Sequence, residues 1–333
     1  MIRRREFIAG VSAAATPVLW PLTAGAQQPG IPVIGFLDTA SAEDAKWNVS
    51  EFRRGLRDAG YIEGQNVAIE FRWGNGQGQP SIMRQLASDL VRLQVAAIVA
   101  SGAVSSQLAA KAATTSIPIV MMGGADPVKY GLVASLSRPG GNLTGVTTIV
   151  NALASKRLDL LLTLVPEATT VGYLVVDQTG ASDEERGNTG DLLTAAQALG
   201  RQIIVLECRN VSDFDKAFAT MIERQAGAVV ASAFRLAFNN RNKIVALAAH
   251  HKIPAVYAQN QYVYEGGLMS YGAVNGARQV AMRYVARILK GANPADLPIE
   301  QPTNFKLDIN LKTAKALGLK IPRELLIQAN VIE

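Results

Sequence analysis

The chain has 333 residues, 49% of them hydrophobic, with two histidines, a single cysteine and a net charge of +6. That length is enough for two domains whose cores need no covalent staples, and one thiol excludes an internal disulfide. The basic residues are scattered, without a Lys/Arg block or interleaved aromatics, so no nucleic-acid partner is expected.

At the amino terminus Arg3, Arg4 and Arg5 precede FIAGVSAAATPVLWPLTAGA, which closes on the small-x-small site Ala24-Gly25-Ala26. The stretch is Ala-rich and broken by Pro17 and Pro21, the pattern of an export signal and not of a membrane span. Arg4-Arg5-Glu6-Phe7-Ile8 fits the core of a twin-arginine signal, with Arg3 where Ser or Thr is usual; general secretion is the other route. Residues 1–26 are therefore expected to be a signal peptide cleaved after Ala26. Its removal leaves 307 residues and a net charge of +4. The expected product is a soluble periplasmic protein, monomeric, with no cysteine at the cleavage site to carry a lipid.

From Ile31 onward, short Val/Ile-rich runs alternate with longer amphipathic segments. IPVIGFL (31–37) reads as a strand, followed by a helix through EFRRGLRDAG that Gly60 ends. VAIEFRW (67–73), a helix over 81–92, VAAIVAS (95–101), a helix through QLAAKAAT and IPIVMM (117–122) complete the series. Continuous apolar strands separated by helices predict a parallel sheet covered on both faces. The series then restarts. VGYLVVD (171–177) matches VIGFLD (33–38), AVVAS (228–232) matches AIVAS (97–101), and IPAV (253–256) matches IPIV (117–120). The offsets are 139 residues from Asp38 to Asp177, 131 from Ser101 to Ser232 and 136 from Ile117 to Ile253. Near-constant offsets predict α/β architecture with two Rossmann-like lobes built on parallel sheets.

Such lobes bind ligands outside the carboxyl ends of their strands, where helix amino termini converge. Two of them facing each other make a cleft. The stretch GGADP (123–127), which follows the fourth strand, fits one wall: Gly123 and Gly124 let backbone N–H groups approach a ligand. Asp126 accepts from a ligand amine, or caps a helix expected after Pro127.

The segments GGADPVKYGLVASLSRPGGNLTGVT, GLRDAGYIEGQNVAIEFRW and EGGLMSYGAVNGARQVAMRYVARILKGANPADLPIEQPTNFKLDINLKTAKALGLKIP resemble the ABC-transporter substrate-binding family whose best-known members bind tryptophan and related amino acids. The resemblance spans residues 31–333. It implies a type I periplasmic-binding-protein clamshell with three crossovers that closes on a small molecule and delivers it to a membrane permease. The crossings are expected near 145–150, where the GGNLTG glycines would ease the turn, 268–273 and 301–306. Lobe 1 would comprise 31–147 plus 272–302, and lobe 2 would comprise 148–271 plus 303–333.

Carried over by position, lobe 1 offers Thr39, Ser41, Ser101, Gly102, Ala103, Gly124 and Asp126 to the ligand. Lobe 2 offers Asp177, Ser232, Phe234 and Tyr271. Hydroxyls at strand ends, with helix dipoles and free N–H groups, suit a carboxylate; each is equally an ordinary cap. Phe234 and Tyr271 either flank an apolar ligand part or simply pack. Asp177 pairs with an ammonium or stays solvated, and Asp177-Gln178 stands where the family often has Asn-Pro, so ligand identity does not transfer.

Other motifs carry little. GNGQGQ (74–79) has Gln79 at the last glycine position of a dinucleotide fingerprint and follows the second strand, not the first, and no Gly-Lys-Ser/Thr phosphate loop occurs. His250 and His251 are helix neighbours about 100° apart, which cannot share a metal on one face. No Gly-x-Ser-x-Gly elbow occurs. The expectation is a solute-binding protein for a small carboxylate, an amino acid or aromatic acid, with no cofactor, no metal and no catalysis. The rivals are a ligand-sensing periplasmic domain feeding a membrane receptor and an exported Rossmann-type enzyme.

Overall fold

A computed structural model describes residues 30–76, 79–147, 153–176, 183–273 and 277–333. The expected signal peptide, Asp177 and residues 148–150 of the expected first crossing lie outside the described residues. Among those described, no helix is long and apolar enough to cross a membrane.

The first sheet is built from β1 (Val33–Asp38), β2 (Ala68–Trp73), β3 (Ala97–Ser101), β4 (Ile119–Gly123) and β5 (Leu143–Thr147), in the order β2-β1-β3-β4-β5, all parallel. The connecting helices are α1 (Lys46–Asp58), α2 (Pro80–Arg92) and α3 (Val104–Ala113). In α1 the buried residues Val49, Phe52 and Leu56 recur every three or four positions, which sets one stripe against the sheet. In α2 Pro80 opens the first turn and Met83, Ala87 and Leu90 form the stripe. Residues 97–101 of β3 are all buried, as a strand covered on both faces requires.

The second sheet holds β6 (Thr170–Val176), β7 (Gln202–Cys208), β8 (Ala228–Ala231), β9 (Ala255–Tyr257), β10 (Met269–Ala273), β11 (Phe305–Asn310) and β12 (Ala329–Ile332). Its order is β12-β11-β10-β9-β8-β6-β7. Its helices include α4 (Ala154–Leu164), α5 (Asp183–Ala198), α6 (Asp213–Glu223), α7 (Arg235–Asn239), α8 (Arg241–His250) and α9 (Gln261–Tyr264). The chain then forms α10 (Ala277–Leu289), whose Ala281, Met282, Val285 and Ile288 pack with Ile34, Phe36 and Val99 of the first sheet. After a 3₁₀ turn at Pro294–Asp296, residues 297–300 run beside β5: Thr144 Oγ1 donates to Leu297 O at 2.6 Å and Thr147 N to Glu300 O at 3.0 Å. The carboxyl-terminal α11 (Leu311–Ala316) and α12 (Arg323–Gln328) return to the second sheet. The chain thus passes between the sheets three times, and each sheet is sandwiched between two apolar clusters.

Four details differ from the sequence expectations. Residues 143–147 form strand β5, where the start of a crossing was expected. Gly145, at φ +134°, brings its backbone so close to Met121 that no side chain fits, which is how the GGNLTG glycines serve a strand. Residues 269–273 are likewise a strand, so the second crossing follows Ala273. β11 runs antiparallel to β10, because β10 ends and β11 begins at the same hinge side of the sheet, with Ala273 opposite Phe305. Finally, the segment after Pro127 is a turn and not a helix: Gly131 at φ +64° donates to Val128 O at 2.9 Å and ends it.

Candidate ligand-binding site

The carboxyl ends of β1, β3 and β4 form one rim. Asp38, the last residue of β1, is fully buried although charged. Its Oδ1 accepts from Ala40 N at 2.9 Å, and the next residue, Thr39, accepts on Oγ1 from Ala103 N at 3.2 Å. Gly102 follows β3 at φ +88°, and a Cβ there would meet Thr39 Oγ1 at 2.5 Å and Asp38 Oδ1 at 2.9 Å. Only glycine both adopts that dihedral and leaves that space. Gly123, at the end of β4, continues the wall: a Cβ there would meet Gly102 O at 2.9 Å and overlap the side-chain amide of Gln107 on α3. Gln107 is fully buried, and neither its Nε2 nor its Oε1 has a hydrogen-bond partner. An amide left so costs about 1–3 kcal/mol, so something at this rim has to repay it.

The facing rim comes from α7, which starts just after β8. Arg235 reaches across to the first lobe and donates from Nη2 to Asp38 Oδ1 at 3.1 Å and Oδ2 at 3.4 Å. Its Nη1 is buried without a hydrogen-bond partner. Two further contacts join the lobes beside this pair. Asn239 Nδ2 donates to Asp44 O at 3.1 Å, and the Trp47 ring lies 4.8 Å from Phe238 at 57°. A buried carboxylate is tolerated only when paired, so Asp38 ties the two lobes together through Arg235.

The residues expected from the sequence fall into place as follows. Thr39, Ser101, Gly102 and Ala103 lie at the first rim with Asp38; Ser101 is buried beside it, directly across the strand register. Ser41 bonds Asp44, donating to Oδ2 at 2.7 Å and accepting from N at 3.1 Å, which caps the turn before α1. Gly124 and Asp126 follow β4, and Asp126 Oδ1 accepts from Val128 N at 2.9 Å and Lys129 N at 3.1 Å, a capping role. Ser232 continues β8, with its N bonded to Leu174 O at 3.0 Å. Phe234 packs in one cluster of the second lobe, 6.5 Å from Phe214, whereas Tyr271 packs against the other, 6.2 Å from Phe305. Their rings therefore do not sit together. Asp177 is outside the described residues.

Asp38, Arg235 and Gln107 were not singled out from the sequence. The available signal was Asp38: a carboxylate that ends an otherwise apolar strand must find a partner. Two other features lie off this rim. A cavity of about 80 Å³ lies among Ser270, Lys306, Asp308 and Asn330 on the second sheet, with room for roughly two or three waters. Arg157 of α4 is fully buried with Nε on Tyr271 O at 2.7 Å, and burial pushes its guanidinium down to about 10. Among the described residues no group of three or more His, Cys, Asp or Glu side chains is placed to hold a metal.

Two α/β lobes crossed three times, with strand ends meeting across an ion pair, define a periplasmic-binding-protein type I fold. Residues 45–332 match the family model of the ABC transporter substrate binding protein. The chain belongs to that family. A tyrosine-binding protein of Clostridioides difficile is 26% identical over 295 residues, 88% of this chain and 82% of that protein. An ABC domain from Streptococcus pneumonia, solved in complex with L-Trp, is 25% identical with a TM-score of 0.72, covering 90% of this chain and 99% of that one. A conserved domain protein from Vibrio cholerae has a TM-score of 0.74 at 23% identity, over 91% of this chain and 100% of that one. This last likeness speaks for the fold.

Proposed function

We propose that the chain is the extracytoplasmic solute receptor of an ABC importer. It holds a small carboxylate, an amino acid or an aromatic acid, between its lobes and delivers it to the membrane permease. It works as an exported, monomeric periplasmic protein, without cofactor or catalysis. The observation that carries this reading is the meeting of strand-end rims from both sheets at the Asp38–Arg235 pair. A ligand at that place touches both lobes at once, so its binding energy favours the closed arrangement. The closed pair of lobes then presents one joint surface to the permease. Family membership supports the importer role, and relatives whose names specify tyrosine and L-Trp support the ligand class.

Thermal-shift screening of the purified protein against amino acids, keto acids and aromatic acids tests the proposal. A true ligand at 100 times its dissociation constant stabilises the fold by about 2.7 kcal/mol. Absence of a shift across all three classes refutes the ligand class.

A further inference from the structure

We propose that the second lobe carries a separate binding site for a neutral molecule with neighbouring hydroxyl groups, a polyol or the edge of a sugar. The site is the cavity beside α9. The residues around it all come from the second lobe, among them Tyr264 of α9, Ser270 of β10, Lys306 and Asp308 of β11 and Asn330 of β12. It is therefore apart from the Asp38–Arg235 rim, where both lobes contribute.

The strand register lines up its polar groups. Ser270 stands opposite Asp308 on the β10–β11 pair, and Asp308 stands opposite Asn330 on β11–β12, so the three share one face of the sheet. Asp308 is only 3% exposed, and its Oδ1 accepts from Asn330 Nδ2 at 2.7 Å, a neutral donor. Among the described residues its carboxylate has no ion pair and no second hydrogen bond. Ser270 is 1% exposed, and its Oγ is buried without a hydrogen-bond partner. A carboxylate with one neutral donor and a hydroxyl with none, both buried and both lining one cavity, call for a ligand with hydrogen-bond groups of its own.

The charges select which groups. Lys306 lies two residues before Asp308 on the same face, exposed and without an ion pair among the described residues. The two charges cancel: an added cation meets the ammonium of Lys306, and an added anion meets the carboxylate of Asp308. A hydroxyl both donates and accepts while carrying no charge. With hydroxyls on adjacent carbons, one donates to Asp308, its neighbour accepts from Lys306 Nζ, and Ser270 Oγ serves either. The space of about 80 Å³ admits two such groups and little more. Gly272, opposite Lys306, adds no side chain to fill it, since a Cβ there would meet Ala258 O at 2.0 Å. The rest of the ligand lies outside, where Tyr264, 63% exposed, offers an aromatic face to the C–H side of a sugar ring.

Titration of the isotope-labelled protein, followed through its amide resonances, tests the site. The probes are glycerol, erythritol, myo-inositol and D-glucose. The controls are cyclohexanol with its single hydroxyl, methylammonium, acetate and glycine. The polyols should shift the amides of residues 264–272 and 305–308, and the best of them should bind at least about tenfold more tightly than cyclohexanol. Asp308→Asn and Ser270→Ala should each weaken that polyol about tenfold. Tyr264→Ala and Lys306→Met change exposed side chains, so they keep the test open where a buried variant fails to fold; each should weaken the polyol at least about threefold. Lys306→Met also discriminates by sign, because it takes a donor from a hydroxyl but removes a repelling charge from a cation. Methylammonium binding that tightens in Lys306→Met, with no loss for the polyols, overturns the inference. So does acetate or glycine binding at these residues more tightly than any polyol. Absence of polyol shifts at these residues, which leaves the cavity to ordered water, overturns it as well. A solute held between the lobes shifts the amides around Asp38 and Arg235 instead, so failure here leaves the solute-binding reading intact.

Discussion

The two lobes share one βαβ plan, yet their facing rims are made of opposite materials. The rim of the first lobe is bare: Gly102, Gly123, the hydroxyl of Thr39 and a fully buried carboxylate, Asp38. The rim of the second lobe is bulky. At the positions matching Ser101 through Val104 by the 131-residue offset stand Ser232, Ala233, Phe234 and Arg235. Phe234 packs inward and Arg235 projects across. A repeated fold thus yields an asymmetric site, with one side that recedes and one that reaches.

The largest effect should come from breaking the shared plan at its glycines. Gly145 in β5 and Gly272 in β10 occupy corresponding strands, each beside the fourth strand of its lobe, and each is pressed against that neighbour's backbone. Gly145→Ala combines a forbidden φ of +134° with overlap on Met121 and should cost at least about 3 kcal/mol in urea unfolding. Gly272→Ala meets only the Ala258 carbonyl, without the dihedral penalty, and should cost about 2 kcal/mol. Equal losses would mean that the two strands are constrained alike and that the left-handed dihedral adds nothing.

A smaller effect is expected at the edge of the first rim. Asp126→Ala removes the acceptor for Val128 N and Lys129 N and should lower stability by about 1 kcal/mol, read as a shift in urea midpoint. A loss of ligand affinity beyond about tenfold in the same variant would add this carboxylate to the ligand contacts, at a cost of about 1.4 kcal/mol.

The least effect at neutral pH belongs to Cys208, at the end of β7 in the second lobe. Burial, helped by the Asp213 carboxylate, pushes its thiol up to about 12. The native protein should resist an alkylating reagent at pH 8 and react fully in denaturant, as mass spectrometry would record. The thiol's contribution is complete below its ordinary value of 9.0 and is lost as pH rises toward about 12, because the unfolded chain ionises first. Cys208→Ala should flatten the alkaline fall in melting temperature across that window.

Much of the frame was legible in the residues. The strands at 33–38, 68–73, 97–101 and 119–123, and their counterparts at 170–176, 228–231 and 255–257, follow from apolar runs that two covering layers require. The amphipathic segments between these runs, one of them ended by Gly60, marked α1 and α2. β5 escaped because glycine-rich segments read as turns, and nothing local reveals that Gly145 is needed to clear Met121. The antiparallel course of β11 escaped too, since direction depends on where the chain re-enters the sheet. Of the rim, Thr39 and Ser101 carry hydroxyls at expected strand ends and Gly102 and Ala103 came from the family resemblance, whereas Arg235 came from neither: it sits 197 residues from Asp38.

Pattern and offset therefore settle the plan: two α/β lobes built on mostly parallel sheets. They do so because burial and helix period are local properties, legible within a dozen residues. Folding in three dimensions decides the partners. Whether Asp38 meets a cation, which glycine must yield space and which amide stays unsatisfied all depend on how one lobe lands on the other. A buried charge is paid for by whatever group the closed geometry brings to it, and no short window of sequence contains both.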